Sequence, residues 1–129
     1  MSIAKQFTID MENERGALAR LCSELAKVAV NISAIQVPNQ AGRAAVRIVT
    51  SPADVTQKVL EKLGYRHQQE DVLTAHLPDR PGALGKLTRK LAEKGVDILY
   101  AYGTIEHGSE RAMVVFGVSD LEVASQVVK

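Results

Sequence analysis

Apolar and polar residues alternate over the first part of the chain, which is typical of a half-buried β-strand. Ile3, Phe7, Ile9 and Met11 are the apolar members of this alternation. The apolar spacing then changes to three and four residues, which predicts an amphipathic helix. Its apolar face is made of Leu18, Leu21, Cys22, Leu25 and Ala26. The chain therefore begins with a strand followed by a helix.

Two more strands, a second helix and a short strand are predicted to follow. Alternation predicts strands at residues 32–37 and 44–49. Ser51-Pro52-Ala53-Asp54 resembles a capping box, in which polar side chains satisfy the first free N–H groups of a helix. Residues 65–69 are expected to form the fourth strand. The order β-α-β-β-α-β is the split βαβ, or ferredoxin-like, pattern.

The same pattern begins again 66 positions further along the chain. Gly82-Ala83-Leu84 repeats Gly16-Ala17-Leu18 at this spacing. Further matched pairs are Leu21 with Leu87, Leu25 with Leu91, Ala26 with Ala92 and Ile32 with Ile98. A second capping box, Ser119-Asp120-Leu121-Glu122, stands where Ser51-Pro52-Ala53-Asp54 stands in the first copy. The chain is therefore an internal duplication.

The predicted fold class is α+β, with two tandem ferredoxin-like units that each have an antiparallel sheet and helices on one face. The first unit spans residues 1–69 and the second spans residues 70–129. The second copy ends inside its second helix, so it is expected to lack its last strand. A missing edge strand leaves backbone donors and acceptors unpaired. We therefore expect the two units to share a common sheet or to pack closely, and we expect a second copy of the chain to cover the open edge in a homodimer.

Charge and composition exclude several kinds of partner. The formal net charge of +1 gives no electrostatic reason to bind nucleic acid or acidic membranes. The single cysteine, Cys22, excludes an internal disulfide and a multi-cysteine metal site. No apolar run approaches membrane-spanning length, and residues 1–6 lack signal-peptide character. We expect a cytoplasmic protein that binds neither nucleic acid nor membranes.

The sequence contains no recognisable catalytic motif. His67, His76 and His107 lie in different contexts, without the spacing of a metal pair, and His107 is expected at an exposed hairpin tip. Neither G-x-S-x-G nor H-E-x-x-H occurs. RNA-binding ferredoxin-like units carry aromatic residues on their central strands, but here Phe116 is the only one and it falls on the core-facing phase. We therefore expect no enzymatic activity, no metal and no cofactor.

The stretch from Leu77 to Leu84 leads directly from a strand into a helix. Asp79 is a candidate helix cap, Pro81 suits a first helical turn, and Gly82 allows the backbone to approach a ligand closely. A helix N-terminus of this kind attracts a small anion such as a carboxylate. It also has a purely structural interpretation, because most caps serve stability alone.

The second strand of each copy opens with a polar side chain, Asn31 in the first copy and Asp97 in the second. Such a group can accept hydrogen bonds from an ammonium group, so a carboxylate site beside it fits a free amino acid. The alternative is that both residues only form turns, for which their side chains are well suited.

Asp79-Arg80-Pro81-Gly82-Ala83-Leu84, with the strand before it and the chain up to Asp97-Ile98, resembles an ACT domain. The segment from Asn13-Glu14-Arg15-Gly16-Ala17-Leu18 to Asn31-Ile32 resembles a second one, with arginine in place of the proline. The chain as a whole is similar to small stand-alone tandem ACT proteins, apart from its missing last strand.

The resemblance implies a regulatory module that binds an effector amino acid between the first turn of one unit and the second-strand start of another. The residues that it implicates are Asn13, Gly16, Ala17, Leu18, Asn31, Ile32, Asp79, Arg80, Pro81, Gly82, Ala83, Leu84, Asp97 and Ile98. The Asp79–Leu84 turn with Asn31 is expected to be the better site. Tyr100 and Tyr102 are candidates to contact an apolar or aromatic ligand side chain, although strand tyrosines more often serve packing.

The predicted function is therefore that of a non-enzymatic protein that senses a free amino acid and modulates amino-acid metabolism, with a metabolic enzyme as a candidate partner. The alternative is a structural or interaction module that assembles with a metabolic enzyme without binding a ligand.

Overall fold

The computed structural model describes residues 2–12, 14–40, 43–105 and 111–127. Its strands are β1 (Ser2–Glu12), β2 (Asn31–Gln36), β3 (Asn39–Gln40), β4 (Arg43–Ser51), β5 (Arg66–Pro78), β6 (Ile98–Ile105) and β7 (Arg111–Val118). Its helices are α1 (Ala17–Lys27), α2 (Ala53–Leu63), α3 (Ala83–Glu93) and α4 (Leu121–Val127). Within these residues, no helix has the length and apolar character needed to span a membrane. The predicted hairpin tip at His107 lies outside the described residues.

The chain divides into two compact units. The first unit is Lys5–Glu70, and the second unit is Met1–Ala4 together with Asp71–Lys129. This division differs from the predicted one, 1–69 and 70–129, chiefly because residues 1–4 belong with the second unit. The predicted fourth strand at residues 65–69 is the first part of a longer strand, β5.

In the first unit, β4 pairs antiparallel with β1 on one side and with β2 on the other. Alternate residues of β1 and β4 point to one face and pack against α1 and α2, which places both helices on that face. The fully buried residues of this core include Phe7, Ile9, Leu21, Leu25, Ile48 and Leu60. The alternation along the strands and the helical spacing therefore meet in one apolar layer, as the sequence pattern predicts.

The second unit repeats this arrangement with β7 as its central strand. β7 pairs antiparallel with β5 and with β6. Helices α3 and α4 pack on one face of this sheet, and their core includes Leu73, Ala75, Leu87, Leu91, Phe116 and Ala124. The predicted α+β fold, with antiparallel strands and helices on one face of each unit, is confirmed.

The second unit receives a strand segment from the start of the chain. Beyond β7, the described residues contain only α4. Ser2 in β1 instead lies beside Thr74 in β5: their hydroxyl oxygens are 2.8 Å apart, and the Thr74 hydroxyl donates to the Ser2 carbonyl oxygen at 3.1 Å. In the first unit, the Gln6 side chain likewise donates to the Glu70 carboxylate at 2.9 Å. Residues 2–4 thus stand where a fourth strand is expected, so the chain's own residues occupy the edge that a second copy of the chain was expected to cover.

The helix starts differ from the predicted capping boxes. Helix α2 has Pro52 at its N-cap and no side-chain cap, so the box predicted at Ser51–Asp54 is wrong. At α4, the cap is Asp120, whose Oδ1 accepts the Val123 N–H at 3.1 Å. Ser119, predicted to be the cap, instead accepts the backbone N–H of Asp97 at 2.8 Å and so ties the start of β6 to the end of β7.

Candidate functional site

The turn between β5 and α3 is a type II β-turn formed by Arg80, Pro81, Gly82 and Ala83. Its closing hydrogen bond runs from the Ala83 N–H to the Arg80 carbonyl oxygen, at 3.3 Å. Gly82 has φ 89° and ψ −12°, and the third position of this turn type requires such a positive φ, which glycine adopts without strain. Proline suits the second position because its ring fixes the φ angle needed there.

This geometry corrects the predicted roles of two residues. Helix α3 begins at Ala83 with Gly82 at its N-cap, and no side chain caps it. Asp79 is therefore not a helix cap, and Pro81 lies in the turn before the helix. Among the described residues, the backbone N–H groups of Leu84 and Gly85 have no acceptor, as expected for the first turn of a helix without a cap. The exposed donors predicted at this position are thus present.

The first unit contains the same turn with a different second residue. The Ala17 N–H donates to the Glu14 carbonyl oxygen at 3.1 Å, and Gly16 has φ 88° and ψ −8°. Arg15 therefore occupies the position that Pro81 holds in the second unit. The loss of proline leaves the form of the turn unchanged, because the glycine and the closing hydrogen bond determine it.

We expect the substitution Arg15→Pro to stabilise the protein by about 0.5–1 kcal/mol, because proline restricts the unfolded chain at a position where its φ is already suitable. The Arg15 N–H has no acceptor among the described residues, so no hydrogen bond is lost. Urea unfolding of this variant beside Pro81→Arg, the reverse change in the second unit, measures the effect. A loss of stability in Arg15→Pro would show that the two turns are not equivalent.

A cleft of about 490 Å³ opens beside the turn of the second unit. The end of β5 and the turn supply part of its lining, and β6, β7 and the start of α3 supply the rest. Its lining residues are Leu77, Pro78, Asp79, Arg80, Ala83, Leu84, Ala101, Tyr102, Gly103, Ala112 and Val114. Leu77 and Val114 also pack against the core of this unit. The cleft therefore lies on the face of the sheet that carries the helices.

Small residues keep the floor of this cleft open. Gly103 lies opposite Val114 in the register of β6 and β7, and Ala101 lies opposite Phe116. A β-carbon on Gly103 would lie 3.0 Å from both the Val114 Cγ2 atom and the Met113 carbonyl oxygen, so a side chain at this position would be crowded. The floor is consequently formed by backbone and methyl groups.

Among the described residues, the two charged residues that line the cleft both belong to the turn. Asp79 and Arg80 are exposed, while Leu84 is 48% exposed and adds an apolar side chain to the rim. Leu84 also belongs to the start of α3, where the backbone N–H groups of Leu84 and Gly85 have no acceptor among the described residues. The positive end of a helix favours a nearby anion by about 0.3–1 kcal/mol at exposed sites. The rim thus combines groups suited to a carboxylate with one suited to an ammonium group, next to an apolar floor.

Asn31 and Asp97, at the start of the second strand of each unit, lie away from the strand-to-helix turn of their own unit. Asp97 precedes β6, and its backbone N–H and carbonyl oxygen both bond to Ser119, at the end of β7. Ile98 and Gly103 are five positions apart in an extended strand, which corresponds to about 15–20 Å. Asn31 is placed in the same way in the first unit, opposite Ser51. Asp97 and Ile98 therefore do not line the cleft of the second unit.

The remaining described residues of the predicted site all belong to the first unit. Gly16, Ala17 and Leu18 form the turn and helix start of the first unit, and Asn31 and Ile32 belong to the same unit. Asn13 lies outside the described residues. The combination of the Asp79–Leu84 turn with Asn31, and the contribution of Asp97 and Ile98, stay predictions.

The two candidate tyrosines have different surroundings. Tyr102 is among the residues that line the cleft. Tyr100 lies opposite Gly117 in the register, and its ring occupies the space that a β-carbon on Gly117 would need. Tyr100 therefore packs on its neighbouring strand, and the absence of a side chain at Gly117 makes room for it.

Sequence reasoning missed Ala101, Gly103, Ala112 and Val114 as cleft residues. The available signal was the pair of small residues, Ala101 and Gly103, in a strand whose counterpart in the first copy carries Ile35 and Val37. Within the described residues, no group of three or more histidine, cysteine or acidic side chains is arranged to hold a metal ion.

The chain belongs to the ACT domain pair family, whose model matches residues 1–129. A protein from Bacteroides thetaiotaomicron is similar in structure, with 31% identity, a TM-score of 0.90, and coverage of 97% of this chain and 85% of that chain. No curated protein matches.

Two further structures share the fold at lower identity. The ligand-free regulatory subunit of aspartate kinase from Thermus thermophilus has 20% identity and a TM-score of 0.71, with coverage of 99% of this chain and 91% of that chain. Aspartokinase III from E. coli, in complex with lysine and aspartate, has 18% identity and a TM-score of 0.60, with coverage of 98% of this chain and 29% of that chain.

Proposed function

We propose that this protein is a non-enzymatic regulatory protein that binds a free amino acid at the cleft beside the Asp79–Leu84 turn. The observation that carries the proposal is the composition of that cleft. An acid, a base and exposed helix N–H groups stand at its rim, and its floor is apolar. Membership of the ACT domain pair family supports the proposal, because the regulatory subunit of aspartate kinase from Thermus thermophilus shares this fold.

Each part of an α-amino acid has a chemically suitable partner at this site. Its carboxylate matches the Arg80 guanidinium and the exposed N–H groups at the start of α3. Its ammonium group matches the Asp79 carboxylate, and its side chain is directed to the floor. Aspartokinase III from E. coli, which shares the fold, has been crystallised with lysine and aspartate. Regulation would follow if the ligand binds one arrangement of the protein better than another and a metabolic enzyme responds to that arrangement.

Calorimetric titration with the twenty amino acids tests the proposal, with Gly82→Asp and Gly82→Asn as a matched pair of variants. Both side chains tolerate the left-handed backbone of residue 82 better than others do, and a β-carbon there has no neighbour within 4 Å. The variants therefore differ mainly in charge. We expect Gly82→Asp to raise the Kd about tenfold above that of Gly82→Asn, because its carboxylate repels that of the ligand.

Two outcomes would contradict the proposal. Equal Kd values for the two variants would place the site elsewhere in the protein. Failure of all twenty amino acids to bind the folded wild-type protein would favour an interaction module without a ligand. Light scattering of the same samples measures whether the protein forms the homodimer that we propose as its assembled state.

A further inference from the structure

We propose that the cleft of the second unit selects amino acids with an apolar side chain, and that the small residues Ala101 and Gly103 set the size of side chain it admits. This inference rests on the proposed amino-acid function. It goes further by naming the class of ligand and the residues that determine it.

The selection follows from where the charges of the cleft lie. Among the described residues that line it, only Asp79 and Arg80, on the turn, are charged. The floor lies on β6 and β7 and consists of Ala101, Gly103 and Ala112 with the side chain of Val114. A ligand whose two ionic groups are held at the turn places its side chain on this floor. A charged side chain would lose water there without gaining a partner, which is unfavourable.

The first copy carries a larger residue at the position that corresponds to Ala101. In the first unit, Ile35 lies opposite Ile48 in the register of β2 and β4, as Ala101 lies opposite Phe116 in the second unit. Both registers also shift at the same place, after Ile32 and after Ile98. Ile35 is 43% exposed, so the strand accommodates a branched side chain at this position without burying it in the core.

The length of β6 accounts for the glycine at position 103. In the first unit β2 ends at Gln36, and the next residue is Val37, which is 46% exposed. In the second unit β6 continues to Ile105, so residue 103 stays close to Val114, where a β-carbon would be crowded. Glycine at this position allows the strand to continue and keeps the floor free of a side chain. The small residues at positions 101 and 103, which line the cleft, are thus features of the second copy.

The variant Ala101→Ile tests the inference by giving the second unit the residue of the first. The position is exposed and lies in a strand, where isoleucine is a favourable residue, so the fold is expected to be retained. Ile35→Ala, the reverse change at the corresponding position, is the matched control. Calorimetry with leucine, alanine, aspartate and lysine measures the Kd of each for the wild-type protein and both variants, and circular dichroism checks the fold.

We expect the wild-type protein to bind leucine at least about tenfold more tightly than aspartate or lysine. A charged ligand side chain on the apolar floor loses its hydration without gaining a partner. Ala101→Ile should raise the Kd of leucine about tenfold or more while changing that of alanine by less than about threefold, because the three added carbon atoms occupy space that only the larger ligand side chain needs. Ile35→Ala should leave both values unchanged.

The outcomes separate this inference from the function on which it rests. Amino-acid binding that favours charged side chains, or an Ala101→Ile effect that is equal for leucine and alanine or absent, would overturn the inference and leave the proposed function standing. If no amino acid binds the wild-type protein, both are overturned.

Discussion

Deletion of residues 1–4 is expected to destabilise the second unit by about 2–4 kcal/mol, the cost of two lost hydrogen bonds and newly exposed apolar surface. Thr74 is only 6% exposed, and its hydroxyl contacts both the hydroxyl and the carbonyl oxygen of Ser2. Val72, two residues earlier in β5, is 1% exposed. Without residues 2–4, this part of β5 becomes an unpaired edge.

Native-state hydrogen exchange measures this effect for each unit separately. The expected result is faster exchange of the amides of β5 and β7 in the second unit, at urea concentrations where the amides of β4 in the first unit stay protected. Equal loss of protection in β4 and β7, or no loss in either, would contradict a role of residues 2–4 confined to the second unit.

A pair of equivalent threonines provides the control. Thr74→Val removes the hydroxyl that bonds to Ser2 and should cost about 1–2 kcal/mol. Thr8 occupies the corresponding position in the first copy, and its hydroxyl has no hydrogen bond among the described residues. Thr8→Val should therefore change the free energy of unfolding by less than about 0.5 kcal/mol. The two variants replace the same group in the same type of strand, so their difference isolates the contact with Ser2.

The order of the elements could be predicted from the sequence because it depends on local periodicity. The alternation of Phe7, Ile9 and Met11 and the repetition of Gly16-Ala17-Leu18 as Gly82-Ala83-Leu84 together indicate two ferredoxin-like copies. Local patterns do not identify strand partners, however. The strand at Ser2 was predictable, but its position beside Thr74 was not, because the contact joins residues 72 positions apart.

The candidate site could be predicted only at the turn. Glycine in the turn was a reliable indication, since a positive φ is a local requirement. The assignment of Asp79 as a cap failed because a type II turn and a capped helix share the same residue types, and only the hydrogen bond of Ala83 distinguishes them. Ala101 and Gly103 were missed because a pattern of apolar and polar residues does not record side-chain volume. Their role emerges only when the registers of β6 and β2 are compared.

The second copy also indicates how a buried polar pair in the first copy should respond to mutation. Thr50 and Thr56 are 6% and 0% exposed, and their hydroxyl oxygens lie 2.7 Å apart. The Thr56 hydroxyl also donates to the Pro52 carbonyl oxygen at 3.2 Å. The corresponding residues of the second copy are Val118 and Ala124, which pack in its core without any polar group.

The variant Thr56→Ala is therefore expected to lower the free energy of unfolding by about 2–3 kcal/mol, because it leaves the Thr50 hydroxyl buried without its partner. The double variant Thr50→Val with Thr56→Ala reproduces the apolar pair of the second copy, so its cost should be smaller than the sum of the two single variants by about 1 kcal/mol or more. Urea unfolding of the wild-type protein and the three variants gives this coupling energy. Single-variant costs that add to within about 0.3 kcal/mol would mean that the two hydroxyls contribute independently, and the second copy would then be no guide to the packing of the first.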